Sequence, residues 1–352
     1  MSIAPLSATH ADAGTAASAR PAKPMALWRA LNTALHDILE DTPEAFLLGE
    51  DITTWGTGGG IYGVTKKLAD EFGRGRVLDT PISEEVLISA AVGAAMQGSR
   101  PILEIMYSDF TFLGFDGIIN QAAKARYMFG GQFDVPFVLR TNGGSGIGKA
   151  GQHSQSLETL FAHIPGLEVV VPATAGDAYG LLRTAVASNN PTIFLEHKNL
   201  YNDRGLVSFE PIPFGVARVA REGSDLTIVA TQQMLKRSLE AAEVLQEQHD
   251  LSVEVIDPRT LFPFDMQTVI TSVKKTRHLV VAHEAVRDYG WGAEFVAQVV
   301  EEAWNDLDAA PRRLGGLRTP IPYSEVLENA VIPSANQIVA TVLATRRERQ
   351  HV

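Results

Sequence analysis

The sequence predicts an α/β protein made of two doubly wound domains. Short apolar runs alternate with longer segments of helical period from Met25 to Leu195, and the alternation restarts at Leu226. Strands that alternate with helices indicate a parallel sheet covered by helices on both faces. A chain of 352 residues is long enough to form two such domains, each with a sizeable core.

The first domain is predicted to occupy residues 25–205, where the alternation begins. Its apolar runs are short and bounded by polar or turn residues, which favours strands over helices. The expected strands are Phe46–Gly49, Arg76–Leu78, Ile102–Met106, Phe137–Arg140, Glu168–Val171 and Thr192–Leu195. The expected helices lie near residues 25–40, 63–72, 84–97, 111–128, 155–162 and 174–187.

The segment Asn199–Pro213 interrupts this alternation with a glycine and two prolines, so a crossing between domains is expected there. We assign residues 206–222 to the linker and residues 223–352 to the second domain. The expected elements of that domain are strands Leu226–Ala230, Val253–Ile256 and Leu279–Ala282, with helices at 232–248, from residue 265 and near 335–346.

The composition excludes several classes of site and partner. The sequence contains no cysteine, which rules out disulfides, thiolate nucleophiles and cysteine-ligated zinc. Its net charge of −11 argues against nucleic-acid binding and favours a basic partner. No apolar run approaches the ~20 residues that would span a bilayer.

Residues 1–24 are predicted to form a disordered tail, because they are rich in Ala, Ser, Thr and Pro and show no apolar periodicity. They lack the continuous apolar stretch of a signal peptide. Arg20 and Lys23 are a poor basic complement for a mitochondrial transit peptide. We therefore expect a bacterial cytoplasmic protein rather than one of the mitochondrial matrix.

Two glycine-rich stretches match nucleotide-binding motifs without their structural context. Gly58–Gly63 and Gly146–Gly151 both read G-x-G-x-x-G, but neither combines a strand, a tight turn and a helix with a correctly placed acid. Gly143–Ala150 has the spacing of a P-loop, but Ala150 stands where a Ser or Thr must bind Mg²⁺. We expect this loop to be a flexible wall beside a site, because glycine allows close approach to a ligand.

The most informative stretch runs from Val77 to Asp109, with Glu84 and Glu85 where a helix should begin. The following segment, Val86–Gln97, has no charge and is rich in Ala and Gly, which suits a helix packed closely on other backbone. An acid at the start of such a helix either complements the helix dipole in solvent or becomes partly buried. Burial raises the pKa of a carboxyl group and so prepares it for proton transfer.

Three stretches resemble the beta subunit of the E1 component of 2-oxo acid dehydrogenase complexes, in the transketolase-like thiamine diphosphate family. They are DTPISE (Asp79–Glu84) with the following AAVGAAMQGSRPILEIM, DPRTLFPFD (Asp257–Asp265) and GLRTPIPYSEVLE (Gly316–Glu328). They occur in the order found in that family, and the resemblance covers nearly all of the chain except the tail. It implies that the first domain is a thiamine diphosphate pyrimidine-binding domain and the second a transketolase C-terminal domain.

The resemblance implies roles for four residues of this chain. Glu84 matches the acid that hydrogen-bonds N1′ of the aminopyrimidine ring and favours the reactive imino tautomer of the cofactor. Phe110 falls where relatives place an aromatic ring against the aminopyrimidine, and Glu50 falls where an acid leads toward the cofactor. His153 matches a histidine at the active-site entrance that stabilises intermediates and contacts the incoming lipoyl group. Simpler interpretations stay open, with Phe110 as a core residue, Glu50 as a solvated strand end and His153 as an ordinary loop residue.

No metal site is predicted in this chain. His283 and Glu284 lack the second histidine of a zincin motif, and His163 and His197 are expected to be structural. Some relatives hold a potassium ion near the segment that corresponds to TAVASNNP, but Ser188 stands where they carry an Asp.

The resemblance also implies partner proteins. Relatives bind the diphosphate through Mg²⁺ with a GDG motif, and this sequence contains no GDG. We therefore expect an E1 alpha subunit to hold most of the Mg²⁺ site, in an α2β2 heterotetramer with the cofactor between the chains. The acidic charge also suits docking of a basic domain of an E2 lipoyl acyltransferase.

The expected reaction is decarboxylation of a 2-oxo acid, or cleavage of acetoin, followed by reductive acylation of the lipoyl group of E2. The substrate stays open among acetoin, pyruvate and branched-chain 2-oxo acids. Two alternatives also stay open, namely half of a split transketolase-like enzyme and a non-catalytic assembly subunit. Replacing Glu84 with Gln separates them, because only an assembly subunit would leave the activity of the complex unchanged.

Overall fold

The structure is a computed structural model that describes residues 20–53 and 59–347. Most of the predicted tail, Gly58 of the first glycine motif and residues 348–352 lie outside the described residues. The strands are β1 (Lys23–Ala26), β2 (Ala45–Glu50), β3 (Val77–Thr80), β4 (Arg100–Ile105), β5 (Val138–Gly143), β6 (Glu168–Val170), β7 (Thr192–His197), β8 (Arg204–Val207), β9 (Arg218–Arg221), β10 (Leu226–Ala230), β11 (Val253–Asp257), β12 (Thr260–Phe262), β13 (Leu279–Val286) and β14 (Arg312–Gly316). The α-helices are α1 (Leu27–Asp41), α2 (Leu68–Phe72), α3 (Glu84–Met96), α4 (Ala123–Met128), α5 (Glu158–Ala162), α6 (Ala175–Ala187), α7 (Gln232–His249), α8 (Met266–Thr276), α9 (Trp291–Ala303), α10 (Glu325–Val331) and α11 (Ala335–Arg347).

The first domain is built on a seven-stranded sheet in the order β12-β6-β7-β5-β4-β2-β3. All neighbouring pairs from β6 to β3 are parallel, and only β12 runs antiparallel, beside β6. The central strands β5 and β7 are buried along their whole length, as expected for a parallel sheet covered on both faces. Their carboxyl ends therefore meet at one edge of the sheet.

Helices cover this sheet through apolar side chains at helical spacing. Leu31, Leu35 and Ile38 of α1 are buried in one core cluster against α6. Each buried leucine of this kind contributes roughly 1.5–3 kcal/mol. On the other side α3 makes the close backbone contact predicted from its composition, because Ile88 fills the space beside Gly114 and Gly117 and leaves no room for a side chain there.

The predicted helix over residues 111–128 is broken into three pieces. A 3₁₀ segment covers Ser108–Gly114, a π-helical segment covers Gly117–Ala122, and only α4 is regular α-helix. Gly114 and Gly117 lower the intrinsic stability of a helix here, and both are needed for the contact with α3.

The second domain is built on a five-stranded sheet in the order β14-β13-β10-β11-β9. Only β9 is antiparallel to its neighbour, β11. Because β9 spans Arg218–Arg221, the end of the predicted linker over residues 206–222 belongs to this sheet. The predicted tail is likewise too long, since Lys23 and Pro24 pair with β8 and thus belong to the first domain.

The two domains share one continuous hydrophobic core. Leu139 and Phe161 of the first domain belong to the same cluster as Ile256, Leu261 and Phe295 of the second. The strand β12, which follows the linker in the chain, completes the sheet of the first domain. The second domain therefore packs directly against the first.

The stretch Glu325–Arg347 has the length and apolar composition of a membrane-spanning helix. It is divided in two, because α10 ends at Val331 and α11 begins at Ala335. Ile338 and Val342 of α11 are fully buried in a core cluster, where α11 packs on α7. We therefore interpret α11 as a core helix of the second domain.

Candidate active site

The predicted site residues gather at the carboxyl edge of the first sheet. Glu50 is the last residue of β2, and Glu84 opens the helix that follows β3. Phe110 lies in the 3₁₀ segment after β4, and His153 lies in the loop that follows β5. Ligands of open α/β sheets bind at this edge, outside the carboxyl ends of the strands.

Glu84 and Glu85 are adjacent but lie in different environments. Glu84 is the first residue of α3 and is only 7% exposed, whereas Glu85 is exposed to solvent. Ser83 precedes the helix, but its side chain makes no capping hydrogen bond. The buried side chain of Glu84 is therefore at the positive end of the helix, which favours a negative charge.

Glu50 and Glu84 interact electrostatically. Burial and then the negative charge of Glu84 raise the pKa of Glu50 to about 7, against a hydrogen bond from the Ser83 backbone that lowers it. The Oε1 atom of Glu50 is buried and has no hydrogen-bond partner among the described residues. Glu50 is thus a carboxyl group that can hold or release a proton near neutral pH.

His153 lies between the rings of Tyr107 and Phe110. Its ring centroid is 5.0 Å from that of Tyr107 and 5.2 Å from that of Phe110, both in edge-to-face geometry. Such aromatic contacts fix the orientation of a side chain in addition to burying it. The structure therefore brings together Phe110 and His153, which were predicted separately.

Lys198 is a site residue that the sequence prediction missed. It is buried just after β7, and its Nζ donates to the backbone carbonyls of Gly144 and His153 and to Ser154 Oγ at 3.2 Å. The same Nζ lies 5.6 Å from the centre of the Tyr107 ring. Burial lowers the pKa of Lys198 to about 8. Its position at the carboxyl end of a buried strand was the available sequence signal.

The loop after β5 is fixed, not the flexible wall that its glycines predicted. Glu284 accepts a hydrogen bond from the Ser145 backbone N–H at 2.5 Å, and Glu328 accepts from the Gly146 backbone N–H at 2.7 Å. Both acids come from the second domain and were not predicted as site residues. His197, predicted to be structural, also bonds to Glu284, at 2.7 Å.

Several buried polar atoms at this edge lack a hydrogen-bond partner within the described chain. Besides Glu50 Oε1 they are Thr80 Oγ1, Ser108 Oγ and Asp109 Oδ2. Buried polar groups are nearly always paired, so several unpaired ones at one edge of the sheet are consistent with a ligand that brings its own donors and acceptors. A ring that carries nitrogen atoms and an amino group, such as an aminopyrimidine, fits these groups.

Four exposed apolar side chains lie near Glu84, and we call them the apolar rim. Its members are Ile82 (76% exposed), Val86 (64%), Phe112 (44%) and Leu113 (61%). The segment with Phe112 and Leu113 lies next to the segment with Ile82 and Val86, because Gly114 packs against the backbone of Glu84. Exposed apolar patches of this kind mark surfaces that bind another molecule.

The side chains that could hold a metal ion are engaged in other contacts. Within residues 20–53 and 59–347, His36, Asp37 and Glu40 are close enough to share an ion, but His36 bonds to Glu71 and Asp37 pairs with Arg20. At the segment compared with a potassium site, Ser188 Oγ donates to Glu168 at 2.8 Å. We propose no ion at either place.

Comparison with known proteins identifies both domains. Residues 23–204 match the family model of the transketolase pyrimidine binding domain, and residues 215–338 match that of the transketolase C-terminal domain. The chain is 44% identical to the acetoin:2,6-dichlorophenolindophenol oxidoreductase subunit beta of Cupriavidus necator, over 94% of this chain and 100% of that protein. It is 42% identical to the mitochondrial pyruvate dehydrogenase E1 component subunit beta-2 of Oryza sativa subsp. japonica, over 96% of this chain and 90% of that protein.

A solved structure shows the same fold. A split-gene transketolase, described as an inactive beta4 tetramer, superposes with a TM-score of 0.74 at 21% identity, over 93% of this chain and 99% of that chain. The predicted α/β fold with two transketolase-type domains is thus confirmed. The chain belongs to the transketolase-like family and, within it, to the E1 beta subunits.

Proposed function

We propose that this chain is the beta subunit of a thiamine diphosphate-dependent E1 enzyme. The enzyme decarboxylates a 2-oxo acid, or cleaves acetoin, and reductively acylates the lipoyl group of an E2 acyltransferase. The observation that carries the proposal is the buried carboxylate of Glu84, which opens α3 beside Glu50 at the carboxyl edge of the sheet.

Each predicted residue has a position that supports its role. Glu84, at the start of α3, would hold N1′ of the aminopyrimidine ring, and Glu50 beside it can store a proton near neutral pH. Phe110 would pack its ring against the aminopyrimidine, and His153, which lies against Phe110, would contact the acceptor. When bound, thiamine diphosphate supplies the nucleophilic carbon that these side chains could not supply.

This chain supplies only part of the proposed active site. The sequence has no GDG motif for the diphosphate, and the apolar rim of Ile82, Val86, Phe112 and Leu113 lies open beside Glu84. An E1 alpha subunit that supplies the Mg²⁺ and diphosphate site would cover this rim, in an α2β2 heterotetramer. The acidic net charge of −11 supports docking of a basic E2 domain on the same complex.

The substrate is a small 2-oxo compound, either acetoin or a 2-oxo acid. Relatives named for acetoin and for pyruvate are 44% and 42% identical to this chain, so overall identity does not separate them. Residues of the alpha subunit are expected to decide between them.

The test is to co-express this chain with a GDG-bearing alpha subunit from a neighbouring gene and assay acetoin, pyruvate and branched-chain 2-oxo acids. We expect turnover that requires both chains, thiamine diphosphate and Mg²⁺. The chain alone should bind the cofactor weakly and show no turnover. Tight binding of thiamine diphosphate by the chain alone would contradict the shared site.

A split transketolase is the second candidate, because the chain matches nearly the full length of such a subunit in fold. At 21% identity this likeness concerns the fold alone. The two candidates differ in their acceptor. A transketolase pair would transfer ketol units between sugar phosphates and would ignore a lipoyl domain, whereas an E1 pair would acylate the lipoyl domain.

A further inference from the structure

The loop from Gly144 to His153, called here the glycine loop, is held by carboxylates of the second domain. Its spacing is close to that of a P-loop, in which backbone N–H groups bind phosphate. In this chain the N–H groups of Ser145, Gly146 and Gly148 instead donate to two buried glutamates. The loop thus uses anion-binding geometry for an internal contact between domains.

Glu328 bonds to two residues of the glycine loop, whereas Glu284 bonds to only one, Ser145. Glu328 lies on α10, is almost fully buried, and each of its carboxylate oxygens accepts one hydrogen bond. Oε1 accepts from the Gly146 backbone N–H at 2.7 Å, and Oε2 accepts from the Gly148 backbone N–H at 3.0 Å. Hydrogen bonds to a charged acceptor are roughly twice as strong as neutral ones, so this pair fixes the middle of the loop.

Glu284 and Lys198 fix the start and the end of the loop. Glu284 accepts from both the backbone N–H and the hydroxyl of Ser145, and its other oxygen bonds to His197 at 2.7 Å. Burial raises the pKa of Glu284, but the charge of His197 and these hydrogen bonds prevail and lower it to about 2. Lys198 then ties the carbonyl of Gly144 to that of His153.

The second domain also covers the loop sterically. A side chain at Gly148 would lie 3.4 Å from the carbonyl of Tyr323, and one at Gly151 would lie 3.5 Å from Pro320. Gly146 and Gly148 have φ angles of +104° and +63°, which favour glycine. The loop therefore has one well-defined path between the domains, and that path ends at His153.

The geometry points to Glu328 as a positioning residue for His153. By holding the N–H groups of Gly146 and Gly148, Glu328 keeps the loop in the path that places His153 between Tyr107 and Phe110. The second domain thereby shapes the side of the active site on which His153 lies. This inference rests on the proposed function, in which His153 contacts the lipoyl group.

The test uses the assembled complex with Glu328→Gln, which removes the charge and leaves one amide nitrogen facing a backbone N–H. Glu325→Gln is the matched control, because Glu325 is an exposed acid on the same helix. We expect lipoyl acylation to fall about 10- to 100-fold in Glu328→Gln, the loss typical of a misplaced reactive group. Glu325→Gln should behave as wild type.

A double-mutant cycle separates positioning from general damage. In a His153→Ala background, Glu328→Gln should cost little further activity, because its effect passes through His153. The same fold loss in both backgrounds would overturn the inference, as would wild-type acylation by Glu328→Gln. Glu328→Asp keeps the charge but is one methylene shorter, so it should show a smaller loss of lipoyl acylation than Glu328→Gln. It replaces Glu328→Gln in the test if that variant does not fold.

Hydrogen exchange at the amides of residues 145–148 gives a readout independent of activity. Exchange there should be faster in Glu328→Gln than in Glu325→Gln, and equal exchange would overturn the inference. If the wild-type pair had no thiamine-dependent turnover, the proposed function would fail while the exchange result still decided whether Glu328 holds the loop.

Discussion

Glu50 and Glu84 form an acidic pair at the carboxyl edge of the first sheet. Burial and then the charge of Glu84 raise the pKa of Glu50 to about 7. Glu50 therefore holds a proton for part of the time at neutral pH, beside Glu84 at the start of α3. In the proposed enzyme this places a group that can exchange protons next to the acid assigned to the cofactor.

This raised pKa predicts how the stability of the chain changes with pH. In the unfolded chain Glu50 ionises at its ordinary pKa of 4.5, whereas in the folded chain it stays protonated until about pH 7. Stability contributed by the protonated form is thus present below pH 4.5 and lost as pH rises to about 7. Relative to wild type, Glu50→Gln should gain about 1–3 °C in melting temperature between pH 4.5 and 7, a small shift because the group is only partly buried.

The measurement is thermal unfolding of both proteins at several pH values from 5 to 8. The difference between them should widen up to about pH 7 and then stay constant. A difference independent of pH would show that the pKa of Glu50 is not raised.

Phe110 is predicted to bind the aminopyrimidine ring through its aromatic face. Because such ring contacts contribute about 0.5–1.5 kcal/mol beyond burial, Phe110→Ala should weaken thiamine diphosphate binding roughly three- to tenfold. Phe262→Ala is the control, since Phe262 is a half-exposed phenylalanine of β12 that lies outside both the candidate site and the apolar rim. Calorimetric titration of the assembled complexes measures both, and equal affinities would remove Phe110 from the cofactor site.

The apolar rim beside Glu84 is predicted to bind the alpha subunit. A charge buried in such an interface is costly, so Val86→Asp should weaken association by about 2–4 kcal/mol without unfolding the beta chain. Val216→Asp places the same charge at an exposed valine of the linker that connects the domains and should leave assembly unchanged. Analytical ultracentrifugation of the two mixtures checks this, and normal assembly by Val86→Asp would place the interface elsewhere.

The buried ion pairs of Arg140 are predicted to be essential for the stability of the first domain. Arg140 is fully buried and bonds to Glu104 at 2.5 Å and to Glu196 at 2.7 Å. Arg140→Met leaves two acids without their cation and should cost about 3–5 kcal/mol in the free energy of unfolding. Lys236→Met breaks only the exposed pair with Asp203 and should cost at most about 1 kcal/mol. Urea unfolding compares them, and similar losses would contradict the buried network.

The sequence predicted the buried parallel strands well, because they are short apolar runs. Leu226–Ala230 was predicted with its observed limits. The edge strands β9 and β14 were missed because they are short, only partly buried and show no apolar run, and β12 was missed because it has only three residues. Helix α9 was overlooked although Phe295 and Val299 lie four residues apart on its buried face.

The candidate site was predicted only in the part carried by local motifs. Glu84 follows directly from DTPISE, and Phe110 and His153 from the stretches around them. The residues that fix the glycine loop come from distant parts of the chain, as with Gly146 and Glu328, which are 182 positions apart. Such contacts depend on how the two domains pack, and no single motif contains that information.

In the proposed enzyme, Glu84 activates a coenzyme held between this chain and an alpha subunit. The most direct measurement is thiamine-dependent turnover of the reconstituted complex with Glu84→Gln, compared with Glu85→Gln as the neighbouring exposed acid. We expect Glu84→Gln to assemble normally and to lose roughly 10²–10⁴-fold in rate, the range for removal of a general acid–base group. Glu85→Gln should keep wild-type activity, and a Glu84→Gln complex that turns over as fast as wild type would show that Glu84 does not activate the coenzyme.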